Sequence, residues 1–391
     1  MEKINKTKVL AFLNQKGGVA KTTLTTSIAY SMANTFGKKV LVIDWDTQAS
    51  LSHNVGAPVG DQTTPASMGV VDLFYDYIIY DMPLSFSNTK IDACIYKPFF
   101  FKSVKYRDKE RNVYATRQEK FAFGFDLLSA SDDLATLNMR ISLSGAHQNK
   151  HEEFWNLTFL AKLTNYISKN YDYDFILIDC APALDNLSIN AFLAAKDGII
   201  IPTNMDVSSI RGVSKVINTF FSLYDKYNEL AQTTDYLGFN DPNAMPHRGI
   251  LGIAFNMYTS RRAIDSTVEN LVDKFLPFKA FNTRIPDSVD AKVASFNYEA
   301  VNTVSSKLAA AYDSLAEEII NLCKQKLTAD ELSDMIYDSY QIFSRKENIE
   351  ENECLINYKM LLEEKVKIAH NYYKKNPKED YPLYIQRKRG V

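Results

Sequence analysis

The chain has no run of about 18 apolar residues, the length a helix needs to cross a bilayer, so no membrane-crossing helix is expected. Cysteine is scarce as well. The four cysteines in 391 residues, Cys94, Cys180, Cys323 and Cys354, show neither C-x-x-C nor another metal spacing, which excludes a zinc or iron–sulfur centre of ordinary pattern. The opening MEKINKTKVL lacks a long apolar stretch of the signal-peptide kind. Together these point to a reduced, cytosolic protein. Neither sign of charge dominates, because 45 Lys and Arg face 47 Asp and Glu for a net charge of −2. Nucleic acid or anionic lipid would therefore have to be held by a local patch. No internal repeat or low-complexity tract is present. No helix-turn-helix precedes the first strand, which begins by about residue 8, so sequence-specific operator binding is not expected.

The most informative absence is local. "LNQKGGVAKTT" (13–23) resembles a phosphate-binding loop, yet the usual G-x-x-x-x-G-K-[ST] fails at both glycines, with Gln15 at the first and Ala20 at the second. In exchange there is an additional lysine, Lys16, ahead of the pair Gly17-Gly18.

What is present suits one large α/β core and an appendage, since 46% of residues are hydrophobic and 24% charged. Apolar β-rich runs at 8–14, 38–44, 173–179, 197–204 and 249–257, with a weaker one at 278–286, alternate with helical patterns near 21–35, 186–195, 207–229, 262–275 and 304–326. That order predicts a doubly wound, mostly parallel sheet with helices on both faces. Residues 83–120 break it. They are aromatic and basic and read as an insertion. From 328 to 391 the pattern turns helical. Thr328 and Glu331 form a capping box, and the apolar stripes Leu332, Ile336, Tyr340, Phe343 and Leu355, Tyr358, Leu362, Val366 predict a helical hairpin on a main domain of residues 1–327.

The loop follows a buried-strand pattern and opens a helix, the context a phosphate-binding loop requires. Gly17 and Gly18 let main-chain N–H groups turn toward phosphate oxygens, with Val19 and Ala20 completing the cradle at the helix N-terminus. Lys21 would pair with the β- and γ-phosphates, the Thr22 hydroxyl would ligate Mg²⁺, and Thr23 could reach the α-phosphate. Two further strands end in carboxylates, Asp44 and Asp46 in "VLVIDWDTQASL" and Asp179 in "FILIDCAPALDN", where open α/β sheets bind ligands. Two residues apart on a strand, Asp44 and Asp46 would face the same way; either could instead cap the following helix.

These segments resemble the ParA/MinD family of deviant Walker-A ATPases, most closely its ParA/Soj branch. "KGGVAKTT" fits K-G-G-x-x-K-[ST]; "IDWDTQ" resembles I-D-x-D-P-Q with Thr47 for proline; "IDCAPALDN" resembles I-D-x-P-P-S with Ala181 for the first proline. The likeness covers roughly 6–325 apart from the insertion. It implies a P-loop fold, ATP and Mg²⁺ as cofactors, and a homodimer sandwiching two nucleotides. Lys16 would then reach the partner's ATP in trans. Asp46 would orient the attacking water, Thr22, Asp44 and Asp179 would surround the metal, and Asn256 with backbone near Pro286 would hold the adenine. It also implies partition or positioning of cargo, non-specific duplex DNA binding in the ATP state, and an adaptor protein of the ParB kind that stimulates hydrolysis. Arg261, Arg262, Lys274 and Lys279 are the candidate DNA contacts, helped by Lys215, Arg284 and Lys292. Asp287 and Asp290 stand where the family carries arginine, which lowers the expected DNA affinity. The alternative is a MinD-like ATPase working at a membrane surface.

Overall fold

The computed structural model describes residues 7–59, 68–79, 86–108, 113–144, 157–206, 209, 212–223, 248–259, 280–325, 327 and 331. Arg261, Arg262, Lys274 and Lys279, the expected helix at 262–275 and the hairpin stripes of 332–391 lie outside the described residues.

A seven-stranded sheet runs in the order β3-β6-β2-β7-β1-β8-β9. Its strands are β1 (Lys8–Phe12), β2 (Val40–Trp45), β3 (Ile95–Tyr96), β6 (Asp126–Leu128), β7 (Phe175–Cys180), β8 (Gly198–Thr203) and β9 (Ile250–Phe255). All neighbours are parallel except β3, which lies antiparallel to β6 at the edge. The apolar runs of β1, β2 and β7 are buried on both faces because alternate side chains enter two separate cores. Val9, Ala11, Ile43 and Ile178 enter one with α3 (Val70–Ile79), α5 (Asp133–Ser144), α6 (Phe159–Asn170), α7 (Asn186–Ala194) and the helical residues 212–223. Leu10, Phe12, Val42 and Leu177 enter the other with α1 (Lys21–Tyr30), α8 (Val289–Phe296), α9 (Val301–Val304) and α10 (Ser306–Lys324). The sheet is thus doubly wound, as the sequence predicts.

Three expectations are corrected in detail. Of the run at 278–286, the described part, 280–286, forms no strand: it meets β9 through the bridge of Ala280 to Ile253 and the Phe281 and Ile285 N–H groups, which donate to Ile253 and Phe255, and it meets Tyr258 beyond β9 through Pro286. The helix expected at 21–35 is α-helical to Tyr30 and ends in a wider π turn, Ser31–Thr35. Residues 83–120 are not uniformly an insertion. Their described first part is α4 (Asn88–Cys94), whose Ile91 and Cys94 are buried in the main core, followed by β3 in the main sheet. Only β4 (Phe99–Asp108) and β5 (Val113–Ala122) stand apart, as a two-stranded antiparallel ribbon.

Candidate nucleotide-binding site

The C-terminal ends of β1, β2 and β7 lie side by side, with Phe12 beside Asp179 and Asp179 beside Asp44 in the register. The loop 13–20 leaves β1 at this edge and feeds α1, where ligands of open α/β sheets bind. Gly18 (φ 74°) and Ala20 (φ 59°) both adopt left-handed backbone. Glycine takes that conformation freely, whereas an L-residue such as Ala20 pays roughly 1–2 kcal/mol for it. Ala20 thus holds the backbone shape of the glycine it replaces.

Lys21 is only 7% exposed, and its Nζ donates to the main-chain carbonyl of Lys16 at 3.0 Å. Burial lowers its pKa, and the nearby Asp179, Cys180 and Asp46 push it back upward. The carbonyl of Lys16 is thus held by Lys21, and its N–H by Asn14 Oδ1 at 3.0 Å. The Lys16 amine itself has no hydrogen bond or ion pair among the described residues.

Asp179 is fully buried and accepts from Thr22 Oγ1 at 2.8 Å, while Thr25 Oγ1 lies 2.9 Å from its other oxygen. Burial pushes its pKa up to about 6, against the downward pull of the Thr22 and Thr25 hydroxyls and of Lys21. The structure therefore brings together Thr22, Lys21 and Asp179. Asp44 points elsewhere: one oxygen accepts from the Ser52 N–H at 2.8 Å and the Ser52 hydroxyl at 2.7 Å, and the other from the Asp46 N–H at 3.3 Å. It thus meets the first turn of α2 (Ser50–Asn54), whose N-cap position is held by Ala49. Burial, then Asp179, raise its pKa to about 7, and Ser52 opposes them. Asp46 lies past the end of β2 and accepts from the Gln48 N–H at 3.0 Å. β2 ends at Trp45, so Asp46 sits one residue past the strand, ahead of a turn at 47–48.

No cluster of three or more His, Cys, Asp or Glu able to hold a metal exists among the described residues. A hydroxyl beside a buried carboxylate, Thr22 with Asp179, nonetheless suits Mg²⁺, which is commonly held by one or two protein oxygens, water and substrate phosphates.

On the other side of the loop, Asn256 is 2% exposed and its amide donates to the Val19 carbonyl at 2.9 Å. Pro286 lies beside Tyr258, two residues beyond Asn256, so of the two expected base-lining positions Asn256 is the one that touches the loop. Arg284 does not serve as a free surface cation, because its guanidinium lies 4.9 Å from the centre of the Phe255 ring. Lys215, Asp287 and Lys292 are exposed.

Several supporting residues are missed by sequence reasoning. Asn14 bridges the Pro202 carbonyl (2.6 Å) and Lys16. Gly212 lies so near that an added Cβ would stand 2.5 Å from Asn14 Oδ1. Glu318 on α10 accepts from the Asn282 N–H at 2.8 Å and the Thr283 N–H at 2.7 Å, fixing the segment that leads to Pro286. The hydroxyl in the spacing Lys21-x-x-x-Thr25, one turn into α1, is the only local signal for any of them.

A phosphate-loop nucleotide-binding domain of the doubly wound type is the class that this fold and this edge define. A family model described as an AAA domain matches residues 7–232, and the chain belongs to that family, among the ATPases of the ParA/MinD kind. Relatives include the chromosome-partitioning ATPase Soj of Treponema pallidum, 26% identical over 80% of this chain and 97% of its own length. The sporulation initiation inhibitor protein Soj of Bacillus subtilis is 27% identical over 72% of this chain and 85% of its own length. Among solved structures, the McdA–ATP complex of Cyanothece covers 83% of this chain and 99% of its own, with a TM-score of 0.54 at 17% identity. Cobyrinic acid a,c-diamide synthase of Mycobacterium smegmatis, with bound ATP analog and magnesium, covers 81% of this chain and 95% of its own, with a TM-score of 0.51 at 22% identity. At those identities the likeness is one of fold.

Proposed function

We propose that the protein is an ATPase that dimerises on Mg-ATP, uses the dimer to hold cargo on duplex DNA, and is reset when an adaptor protein stimulates hydrolysis. The observation that carries this reading is the convergence of Lys21, Thr22 and Asp179 beside a lysine, Lys16, whose main chain is fixed and whose amine is unengaged. Lys21 is placed to take phosphate charge once a nucleotide replaces the Lys16 carbonyl as its partner. Thr22 and Asp179 would hold Mg²⁺, which on binding neutralises developing phosphate charge. Asp44, one strand further, would steady the loop 46–52 through Ser52, so that Asp46 can orient the attacking water. Lys16 stands ahead of the glycines with its amine unengaged among the described residues, and across a face-to-face dimer it would supply positive charge in trans.

The Soj relatives include one named as a chromosome-partitioning ATPase, which favours partition over the membrane-surface alternative. Arg261, Arg262, Lys274 and Lys279 would supply the DNA patch of the dimer. Light scattering with Asp46→Ala in Mg-ATP, paired with a phosphate-release assay on the native chain, tests the proposal. A dimer with ATP but not ADP, and slow turnover in the native chain, are expected. A variant that binds ATP yet stays monomeric at tens of micromolar overturns it.

A further inference from the structure

Helix α8 is amphipathic in the inverted sense. Its small residues, Ala291 and Ala294, are the ones that pack on the second core, and Ala294 is fully buried. Its bulky residues point outward. Val289 is 73% exposed, Val293 45% and Phe296 86%, and at spacings of four and three residues they form a single stripe along the helix. Tyr298, also exposed, follows just past the helix end in left-handed backbone (φ 56°), a conformation that strains a bulky residue. A surface helix ordinarily buries such a stripe, and a contiguous exposed one marks an interaction surface. Among the described residues nothing covers it.

The position of α8 narrows the choice of occupant. The helix begins three residues after Pro286, at the nucleotide edge of the sheet, where Ser288 caps it by accepting from the Asp290 N–H at 3.1 Å. α10 ends at the opposite edge. There Arg248, just ahead of β9, donates its main-chain N–H to the Lys196 carbonyl and its guanidinium to the Leu322 carbonyl at 3.0 Å. From Arg248 to Tyr258 the extended chain of β9 and its flanks covers roughly 30 Å, at about 3.3 Å per residue. The 328–391 extension starts from the α10 end. A first helix from the Thr328 capping box to one turn past Phe343, about 18 residues, would run back roughly 27 Å. The second apolar stripe then begins level with α8.

We propose that α8 is the docking site for this chain's own second stripe, Leu355, Tyr358, Leu362 and Val366. Each stripe is aliphatic and aromatic at helical spacing, and each needs a cover. Because both belong to one chain, the tether gives the extension a high effective concentration that a separate protein lacks. The charges agree: Lys359 and Lys365 accompany the second stripe, and Asp287 and Asp290 stand at the start of α8, with Lys292 its only cation. The same two aspartates disfavour an anionic membrane as the occupant. The contact needs neither nucleotide nor DNA, and it places the extension on the helix that continues the chain from Pro286.

Hydrogen exchange read by mass spectrometry on the full, nucleotide-free chain at low micromolar concentration tests this docking, with the mass followed by light scattering. In the native monomer the amides of 289–299 should exchange at least about tenfold more slowly than in Tyr358→Glu with Leu362→Glu. Reciprocally, Val293→Glu with Phe296→Glu should speed exchange in 355–369 by a similar factor. Peptides of β1 and β7 should keep native protection in both variants, showing that the main domain stays folded. If α8 exchanges alike in the native chain and the Tyr358/Leu362 variant, the stripe lies elsewhere and the proposal falls. Unchanged exchange of 355–369 in the Val293/Phe296 variant overturns it as well. If the nucleotide-free native chain is a dimer that both variants dissociate, a second copy occupies α8 and docking within one chain is overturned.

Discussion

The ammonium of Lys21 donates to the main-chain carbonyl of Lys16, 3.0 Å away, so the two lysines of the loop are joined head to backbone before any nucleotide arrives. Their roles separate on that contact. Lys21 is buried and must meet phosphate from within the loop, whereas the Lys16 amine has no partner among the described residues. Lys21→Ala should therefore abolish detectable ATP binding in calorimetry. Lys16→Ala should bind ATP within about a factor of three of the native chain, a change under 1 kcal/mol, yet lose adaptor-stimulated hydrolysis. Equal loss of affinity in both variants would remove the distinction.

The buried carboxylates make stability fall with rising pH. Asp44 is raised from 3.8 to about 7 and Asp179 from 3.8 to about 6, chiefly by burial. Between those limits the folded chain binds more protons than the unfolded one, so their contribution is present at low pH and lost as pH climbs through the folded values. Asp44→Asn removes the titration while keeping an oxygen for Ser52. Its urea midpoint relative to the native chain should rise from pH 5 to about pH 7 and level off above it. Parallel curves would show that Asp44 does not titrate in this range.

Gly212 should be intolerant of even a methyl group. An added Cβ would stand 2.5 Å from Asn14 Oδ1 and 3.4 Å from Lys16 Cβ. Asn14 cannot simply swing aside, since it is tied both to Pro202 and to the Lys16 N–H. Gly212→Ala should therefore weaken ATP binding several-fold without touching a phosphate contact. Asn14→Ala, which removes the obstruction and the tether together, should weaken binding too, and the pair should be less than additive because both act through one contact. Strict additivity in isothermal titration would argue for separate effects.

The loop, the strand-end acids and the parallel sheet were legible in the sequence because each is written in contiguous residues: a buried apolar run, then the polar group at its end. What escaped is contributed from a distance. Asn14, Gly212, Ser52 and Glu318 acquire meaning only when the sheet brings their segments to one edge. Strands β3 and β6 escaped because two and three residues are too short for a period. The ribbon escaped because aromatic and basic residues occupy both of its faces, so alternation separates burial but not residue type. Strand parity reaches Asp44 but not Asp46, because β2 ends at Trp45, between them.

The Glu318 carboxylate on α10, remote from the loop in sequence, holds the segment that leads to Pro286, the position expected to line the base. It accepts from the Asn282 and Thr283 N–H groups and from the Thr283 hydroxyl, in the segment that continues through Ile285 to Pro286. Ile285 in turn is locked to β9, its N–H donating to the Phe255 carbonyl at 2.9 Å, next to Asn256. Removing the carboxylate frees two main-chain donors at once. Hydrogen bonds to a charged group are worth about 1.5–3 kcal/mol when buried, and this pair is partly solvated, so Glu318→Ala should cost about 2 kcal/mol of stability. Affinity for ATP should fall several-fold, because adenine would meet a looser wall, while hydrolysis per bound ATP stays near the native rate. Glu318→Gln retains one acceptor oxygen and should lie between. A Glu318→Ala protein with native ATP affinity but lowered stability would confine the residue to folding and leave the adenine wall to other groups.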